Sequence, residues 1–133
     1  DIIPLQNNAI KIGDYVVCGT RGWTVPEENA TQTDEDKKIY DRELIRLELS
    51  LKAANELAKN GEKIIVMIHY PPFNSHIVNS DFTNLIEKYG ASKVVYGHLH
   101  GKKTRVKTTV TKNGIEYILT SCDLIDNTLV KIY

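Results

Sequence analysis

Two short apolar runs with a helical pattern between them constrain the fold more than any other feature of this chain. The first run covers residues 63–68 and the second covers residues 93–96, and both are rich in isoleucine or valine. Continuous apolar runs of this length are typical of parallel strands buried on both faces. Phe82, Leu85 and Ile86, which lie between the runs, have the spacing of a helix. The sequence therefore predicts a β-α-β unit with a right-handed crossover.

Two hairpin signals flank this unit. Gly13-Asp14 and Asn113-Gly114 are turns of the kind that join antiparallel strands, since glycine readily adopts the positive φ that such turns need. The β-rich runs beside these turns are residues 9–12, 15–19, 106–111 and 115–120. A last strand is predicted over residues 129–132. Parallel and antiparallel strands together define an α/β fold with a mixed β-sheet.

A long helix is predicted between the cap residues Thr33 or Asp34 and the stop signal Asn60-Gly61. Its apolar residues recur every three or four positions and so form one stripe: Tyr40, Leu44, Leu47, Leu51, Ala54 and Ala58. The charged residues of the helix are interpreted as its solvent-facing side. No function is assigned to this helix.

Composition indicates a single domain and excludes several classes of protein. The chain has 133 residues, of which 41% are hydrophobic and 26% are charged, and these values are typical of one globular domain. Lys plus Arg and Asp plus Glu each number 17, so the balance excludes a general polyanion binder, and no specific nucleic-acid partner is indicated. No run approaches the roughly 18 apolar residues of a membrane span, and no secretory leader is visible. We expect no membrane partner and a cytoplasmic location.

The cysteine content agrees with a reducing compartment. Cys18 and Cys122 lie far apart in apolar, strand-like segments, which indicates two buried free thiols, with a disulfide as the alternative. The sequence contains no Cys-x-x-Cys pair, so a cysteine zinc site is not indicated.

Three of the four histidines follow the two buried runs. His69 ends the first run, and His98 and His100 come directly after the second. The carboxyl ends of parallel strands meet at one edge of a sheet, where ligands collect, so all three imidazoles are expected at that edge. Imidazole is the commonest protein ligand for metals, and three convergent rings suit Zn²⁺, Mn²⁺ or Fe. The sequence therefore predicts that these three histidines bind metal.

The same residues carry a resemblance to a known family. Residues 68–72, Ile-His-Tyr-Pro-Pro, and residues 97–100, Gly-His-Leu-His, resemble the last two motifs of the calcineurin-like metallophosphoesterases. The local similarity is confined to residues 63–101, while the long helix and the following hairpin fit the general layout of the family. The resemblance implies half of a four-layer αββα sandwich. It also implies a hydrolase that cleaves a phosphomonoester or phosphodiester at a dinuclear metal centre.

Within this resemblance, His69 and His98 are similar to ligands of one metal, and His100 is similar to a ligand of the other. The cations would be Mn, Fe or Zn. The family's Asp-x-His and Gly-Asn-His motifs are absent from the sequence, and Gly13-Asp14 is interpreted as a turn. We therefore expect residues 1–133 to be one domain, the carboxyl-terminal part of a longer metallophosphoesterase. Its catalytic residues are unassigned, and this part alone is expected to be inactive and to bind metal weakly or not at all. It should associate with the missing half or with itself, because an isolated half leaves apolar surface uncovered.

Arg21 is a candidate for binding the phosphate of the substrate. It lies in a glycine-flanked loop after a β-rich run, and a guanidinium can hold phosphate through two hydrogen bonds. Stacking on Trp23 or pairing with an acidic residue is the alternative. His76 is expected to be a solvent-exposed loop residue. The basic residues from Lys102 to Lys112 either attract an anionic substrate or protect an edge strand.

Two other functions stay open. The first is a non-catalytic scaffold or binding domain with a vestigial histidine cluster. The second is a mononuclear three-histidine zinc hydrolase that is complete in this chain and holds one metal tightly. Asp123 and Asp126 are further candidate ligands, although nothing in their spacing requires this role.

Overall fold

The computed structural model describes residues 2–101 and 106–133. Within those residues the chain forms six strands and two helices. In chain order these are β1 (Ala9–Ile12), β2 (Tyr15–Thr20), α1 (Asp34–Leu57), β3 (Lys63–Ile68), α2 (Asp81–Lys88), β4 (Lys93–Tyr96), β5 (Thr109–Lys112) and β6 (Ile115–Leu119). None of the helices in the described ranges is long and apolar enough to cross a membrane.

The described strands form one sheet in the order β1-β2-β3-β4-β6-β5. The four central strands are parallel, and each edge strand is the antiparallel partner of its hairpin neighbour. Asn113 and Gly114 both have positive φ, +50° and +79°, which is the geometry of a tight hairpin turn. The predicted α/β fold with a mixed sheet, a β-α-β unit and two flanking hairpins is confirmed.

Both helices pack on the same face of the sheet and against each other. The Tyr40 ring of α1 contacts the Phe82 ring of α2 edge to face, with centroids 4.9 Å apart. The Tyr40 hydroxyl donates to Asp81 at 3.1 Å. Thr33 caps α1 and Ser80 caps α2, so the cap signals in the sequence are confirmed. Helix α1 ends three residues before Asn60, because Ala58 already has a non-helical backbone (φ −90°, ψ 42°).

The interpretation that the charged residues of α1 all face solvent is wrong for Glu43, which is fully buried. Glu43 lies on the stripe that faces β2, between Tyr40 and Leu47. Its carboxylate accepts hydrogen bonds from Thr20 Oγ1 at 2.9 Å and from Arg46 Nη1 at 2.6 Å. These donors replace the water that the carboxylate loses on burial.

The opposite face of the sheet is less completely covered. Met67, near the end of β3, is 48% exposed, and Ile3 and Leu5 line a cavity that extends over this face. The predicted strand at residues 129–132 is wrong, because the chain turns at Asp126 and Asn127, both with positive φ. Tyr133, which follows this segment, packs against the Tyr15 ring in a tilted arrangement, with centroids 4.9 Å apart.

The cysteine prediction is correct in part. Both thiols are free, and Cys18 is buried in β2, but Cys122 is exposed. The reason is topological, because Cys122 follows the end of β6 at the edge of the sheet and does not lie within a strand.

Candidate functional site

The register of the parallel strands brings four strand ends into one row. Thr20 of β2 is level with Ile68 of β3, and Ile68 is level with Tyr96 of β4. Tyr96 is in turn level with Leu119 of β6. The residues that follow these ends therefore meet at one edge of the sheet, where parallel sheets commonly bind ligands.

Backbone hydrogen bonds continue past the strand ends and hold the loops together. The amides of His69 and Tyr70 donate to the carbonyl of Arg21 at 3.1 and 2.9 Å. The Gly97 amide donates to the His69 carbonyl at 3.1 Å. The backbone that carries the histidines is thus positioned by the sheet, which is a more precise support than a free loop.

His69 and His98 are in direct contact. Nε2 of His69 lies 3.2 Å from Nδ1 of His98, and the Tyr70 ring stacks on the His98 ring with centroids 4.0 Å apart. His98 has φ +68°, a left-handed conformation that is uncommon for a residue with a side chain and that often marks a functional position. Partial burial, and to a lesser extent the nearby His69 and His100, lower the pKa of His98. The ring is therefore neutral at pH 7 and keeps a lone pair.

His100 faces a carboxylate. Nδ1 of His100 lies 2.8 Å from Oδ1 of Asp123, and the second oxygen, Oδ2, accepts a hydrogen bond from the Gly101 amide at 2.9 Å. The Gly101 amide and the His100 ring lower the pKa of Asp123, so this carboxyl group is ionised at neutral pH. An ionised carboxylate on one ring nitrogen is the usual support for a metal-binding histidine. Asp126, the other aspartate considered from the sequence, lies in the following turn.

The described residues, 2–101 and 106–133, contain no group of three or more His, Cys, Asp or Glu side chains arranged to hold a metal ion. His69 and His98 adjoin each other, whereas His100 is oriented toward Asp123. Two imidazole nitrogens on a tetrahedral Zn²⁺ would be roughly 3.3 Å apart, given metal–nitrogen bonds of about 2.0–2.1 Å. The 3.2 Å separation of His69 and His98 fits a shared cation. The donor set thus fits a metal in part, because two candidate nitrogens have a suitable separation, and the role of all three histidines as ligands stays a prediction.

Arg21 lies at the same edge, and its side chain has two partners. The guanidinium carbon is 4.8 Å from the centre of the Trp23 ring, and Nη2 is 3.4 Å from Oε1 of Glu43. The side chain is 46% exposed. Both contacts considered as the alternative therefore occur, and a role for Arg21 in binding phosphate stays a prediction.

Ser121 is a residue that the sequence analysis missed. Its hydroxyl is buried, and no hydrogen-bond partner for it exists among the described residues. Ser121 lines a cavity of about 560 Å³ together with His69, His98 and His100. Recognising it would have required knowing that β6 pairs with β4, which places the end of β6 beside the histidines.

Several other candidates lie elsewhere. Gly13-Asp14 forms the β1–β2 turn, and the Asp14 carbonyl accepts from the amide of Lys63, at the start of β3. It therefore lies at the edge opposite the histidines, which confirms the turn interpretation. His76 is exposed and its amide donates to Asn74 Oδ1. Within the basic segment, residues 102–105 lie outside the described residues.

Comparison with protein-family models, with curated proteins and with solved structures found no significant match.

Proposed function

We propose that this chain contributes metal ligands to a metal-dependent phosphoesterase centre that hydrolyses a phosphomonoester or phosphodiester. The contact between His69 and His98 at the carboxyl edge of parallel strands supports this function best. The pair of motifs that ends these strands, described above, supports the same class of enzyme. The ionised Asp123 beside His100 adds the kind of carboxylate support that metal-binding imidazoles have in such sites.

The residues of this chain would have distinct tasks. His98, neutral at pH 7, and His69 would bind a cation through the two nitrogens that lie 3.2 Å apart, once the hydrogen that one ring donates to the other is lost. The Asp123 carboxylate would accept a hydrogen bond from Nδ1–H of His100 and thereby select the tautomer in which Nε2 carries the lone pair. Bound divalent cations such as Mn, Fe or Zn would neutralise charge on the phosphate and lower the pKa of a water molecule. Arg21 would hold phosphate oxygens with the part of its guanidinium that is turned to solvent.

The remaining ligands would come from another polypeptide segment. The sequence contains no Asp-x-His and no Gly-Asn pair, and its one Gly-Asp pair, Gly13-Asp14, forms a turn at the opposite edge of the sheet. It therefore offers no counterpart of the carboxylate that bridges two cations in the family it resembles. Two cations close together repel each other strongly unless an anion lies between them. This chain alone is therefore expected to bind one cation weakly and to hydrolyse phosphate esters very slowly or not at all.

A non-catalytic binding domain is the alternative, and one observation favours it. No set of three metal-ligating side chains is assembled among the described residues. A domain that kept the fold but lost catalytic activity would have the same contacts, between His69 and His98 and between His100 and Asp123.

Binding of Co²⁺ tests whether His69 and His98 bind a metal ion, which the enzyme proposal requires. We expect the wild-type chain, at a concentration high enough for weak binding, to shift and intensify the visible absorption of Co²⁺, and the double variant His69→Ala/His98→Ala to abolish this change. His76→Ala is the matched control, since it removes an exposed histidine outside the pair, and it should change the Co²⁺ spectrum as the wild type does. If the wild-type chain leaves the spectrum of aqueous Co²⁺ unchanged, or the double variant changes it equally, the proposal fails.

An activity assay tests the need for further ligands. The chain should show little hydrolysis of p-nitrophenyl phosphate with Mn²⁺, whereas rapid hydrolysis would contradict the role given to a second segment. The coding sequence upstream of Asp1 is the complementary observation. Asp-x-His and Gly-Asn-His motifs there would support the enzyme, and a longer product containing them should hydrolyse the ester.

A further inference from the structure

A second cavity, of about 520 Å³, opens on the other side of His98. Its volume lies in the range of pockets that bind small organic molecules. The loops after β2 and β3 form one wall, and the edge strand β5 contributes to the other. Most of its lining is apolar and includes Tyr70, Phe73, Tyr96, Leu99 and Val110.

The aromatic walls of this cavity are held by neighbouring rings. Phe73 is buried and contacts Tyr96 edge to face, with centroids 5.5 Å apart. Tyr70 is fixed by its stacking on His98. A cavity with rings in fixed orientations favours another ring, which can pack edge to face or in an offset stack.

Two polar side chains at the rim already make hydrogen bonds within the protein. Oδ1 of Asn74 accepts from the amides of His76 and Val78, and Nδ2 donates to the Pro26 carbonyl. The carboxylate of Glu27 accepts from both the amide and the hydroxyl of Ser75. Because most of the remaining lining is apolar, the cavity favours an apolar ring.

Two charged side chains of opposite sign, Glu27 and Lys107, line this cavity. Hydrogen bonds from Ser75 lower the pKa of Glu27, so its carboxylate is ionised at neutral pH. Because the two charges oppose each other, the lining does not by itself select or exclude a phosphate. In the proposed function the phosphate of an ester lies beside His69 and His98, and the organic group would then lie beside Phe73.

We infer that this cavity binds an apolar aromatic group of the phosphate ester, and that the substrates are aryl phosphates or esters with an aromatic end. The position of the phosphate rests on the proposed function. The affinity of the cavity for an aromatic ring does not, and it can be measured without metal.

Binding is tested by NMR titration of the ¹⁵N-labelled chain with 1-naphthol, 1-naphthyl phosphate and glycerol phosphate. We expect 1-naphthol and 1-naphthyl phosphate to shift the amide signals of residues 73–77, Leu99 and Val110. Glycerol phosphate, which lacks a ring, should leave these signals unchanged. Unchanged signals with 1-naphthol, or equal shifts with glycerol phosphate, would overturn the inference.

Filling the cavity provides the mutational test. Val110→Trp places a large side chain in the cavity from β5 and should weaken 1-naphthol binding about tenfold or more. Thr111→Trp is the matched control, because Thr111 is the next residue on the same edge strand and is exposed; its affinity should equal that of the wild type. Thr24→Trp, at an exposed position that also lines the cavity, repeats the test without disturbing β5. Wild-type affinity in a folded cavity-filling variant would overturn the inference.

Repeating the titrations in the presence of Zn²⁺ separates this inference from the proposed function. If Zn²⁺ raises the affinity for 1-naphthyl phosphate but not for 1-naphthol, both are supported. If 1-naphthol binds and Val110→Trp weakens it, but Zn²⁺ has no effect on the phosphate ester, the metal proposal fails and the aromatic cavity stands. If Zn²⁺ strengthens binding of the phosphate ester and the cavity-filling variants change nothing, the cavity inference fails and the metal proposal stands.

Discussion

Asp123 and His100 are joined by a 2.8 Å hydrogen bond across the edge of the sheet, between a loop after β4 and a loop after β6. The two loops meet because β4 and β6 are adjacent and parallel. The same carboxylate accepts a hydrogen bond from the Gly101 amide, so it holds both the ring of His100 and the backbone of the loop that carries it.

This relationship predicts the effect of Asp123→Asn. Asparagine lacks the negative charge that strengthens the hydrogen bond from Nδ1–H of His100, so Zn²⁺ affinity should fall about 10- to 100-fold if His100 is a ligand. Isothermal titration calorimetry measures the change. Asp126→Asn, in the neighbouring turn, should leave the affinity unchanged. Equal affinities of the Asp123→Asn variant and the wild type would show that His100 does not bind the metal.

The buried thiol of Cys18 predicts a decrease in stability at alkaline pH. Burial raises the pKa of Cys18 to about 12 from its ordinary value of 9.0. Between these two values the unfolded thiol has lost its proton while the folded one keeps it, so the free energy of unfolding falls as pH rises above about 9.

Urea unfolding under reducing conditions measures this effect. The advantage of the wild type over Cys18→Ala should shrink by roughly 1 kcal/mol between pH 8 and pH 10. The difference between the wild type and Cys122→Ala should stay constant, since Cys122 is exposed. A constant difference for Cys18→Ala as well would mean that the thiol has an ordinary pKa in the folded chain.

We expect substitution of Glu43 to lower the free energy of unfolding more than substitution of an exposed charged residue on the same helix. Glu43→Ala removes the acceptor of Thr20 and Arg46 in a buried position, and the free energy of unfolding should decrease by about 1–3 kcal/mol. The matched control is Glu56→Ala on the same helix, where the side chain is 76% exposed; its effect should stay within about 0.5 kcal/mol. Chemical denaturation compares the two, and equal effects would contradict the role of Glu43 in anchoring α1 to β2.

Gly19 predicts a strict requirement for glycine at the end of β2. Its φ is +150°, and a Cβ atom there would lie 1.7 Å from the backbone carbonyl oxygen of Met67. Gly19→Ala should therefore force β2 and β3 apart and cost about 3 kcal/mol or more.

Gly61→Ala is the control for this prediction. Gly61 also has a positive φ, +86°, but nothing lies within 4 Å of the added atom, so the cost should be only about 1–2 kcal/mol. Thermal unfolding followed by circular dichroism ranks the two variants. A smaller loss for Gly19→Ala than for Gly61→Ala would contradict the close contact between the strands.

The parts of the fold that depend on neighbouring residues could be predicted from the sequence. Asn113-Gly114 specifies a hairpin because its backbone accepts two positive φ values, and Ser80 begins α2 because its side chain caps the free amides of the first turn. The two apolar runs specify parallel strands, and parallel strands place His69 and His98 at one edge. None of this requires knowledge of distant contacts.

The partners of these residues were decided by tertiary structure. Glu43 has the spacing of the buried stripe of α1. Only the packing of α1 against β2 brings the Thr20 hydroxyl close enough to donate a hydrogen bond to its buried carboxylate. Ser121 and Asp123 reach the histidines because β6 inserts between β4 and β5. Strand order depends on the packing of segments that are far apart in the chain, so local residue patterns do not predict the strand order. The sequence thus determined the helices, the hairpins, the central β-α-β unit and the histidine pair. The order of the strands determined which carboxylate, hydroxyl and cavity surround that pair.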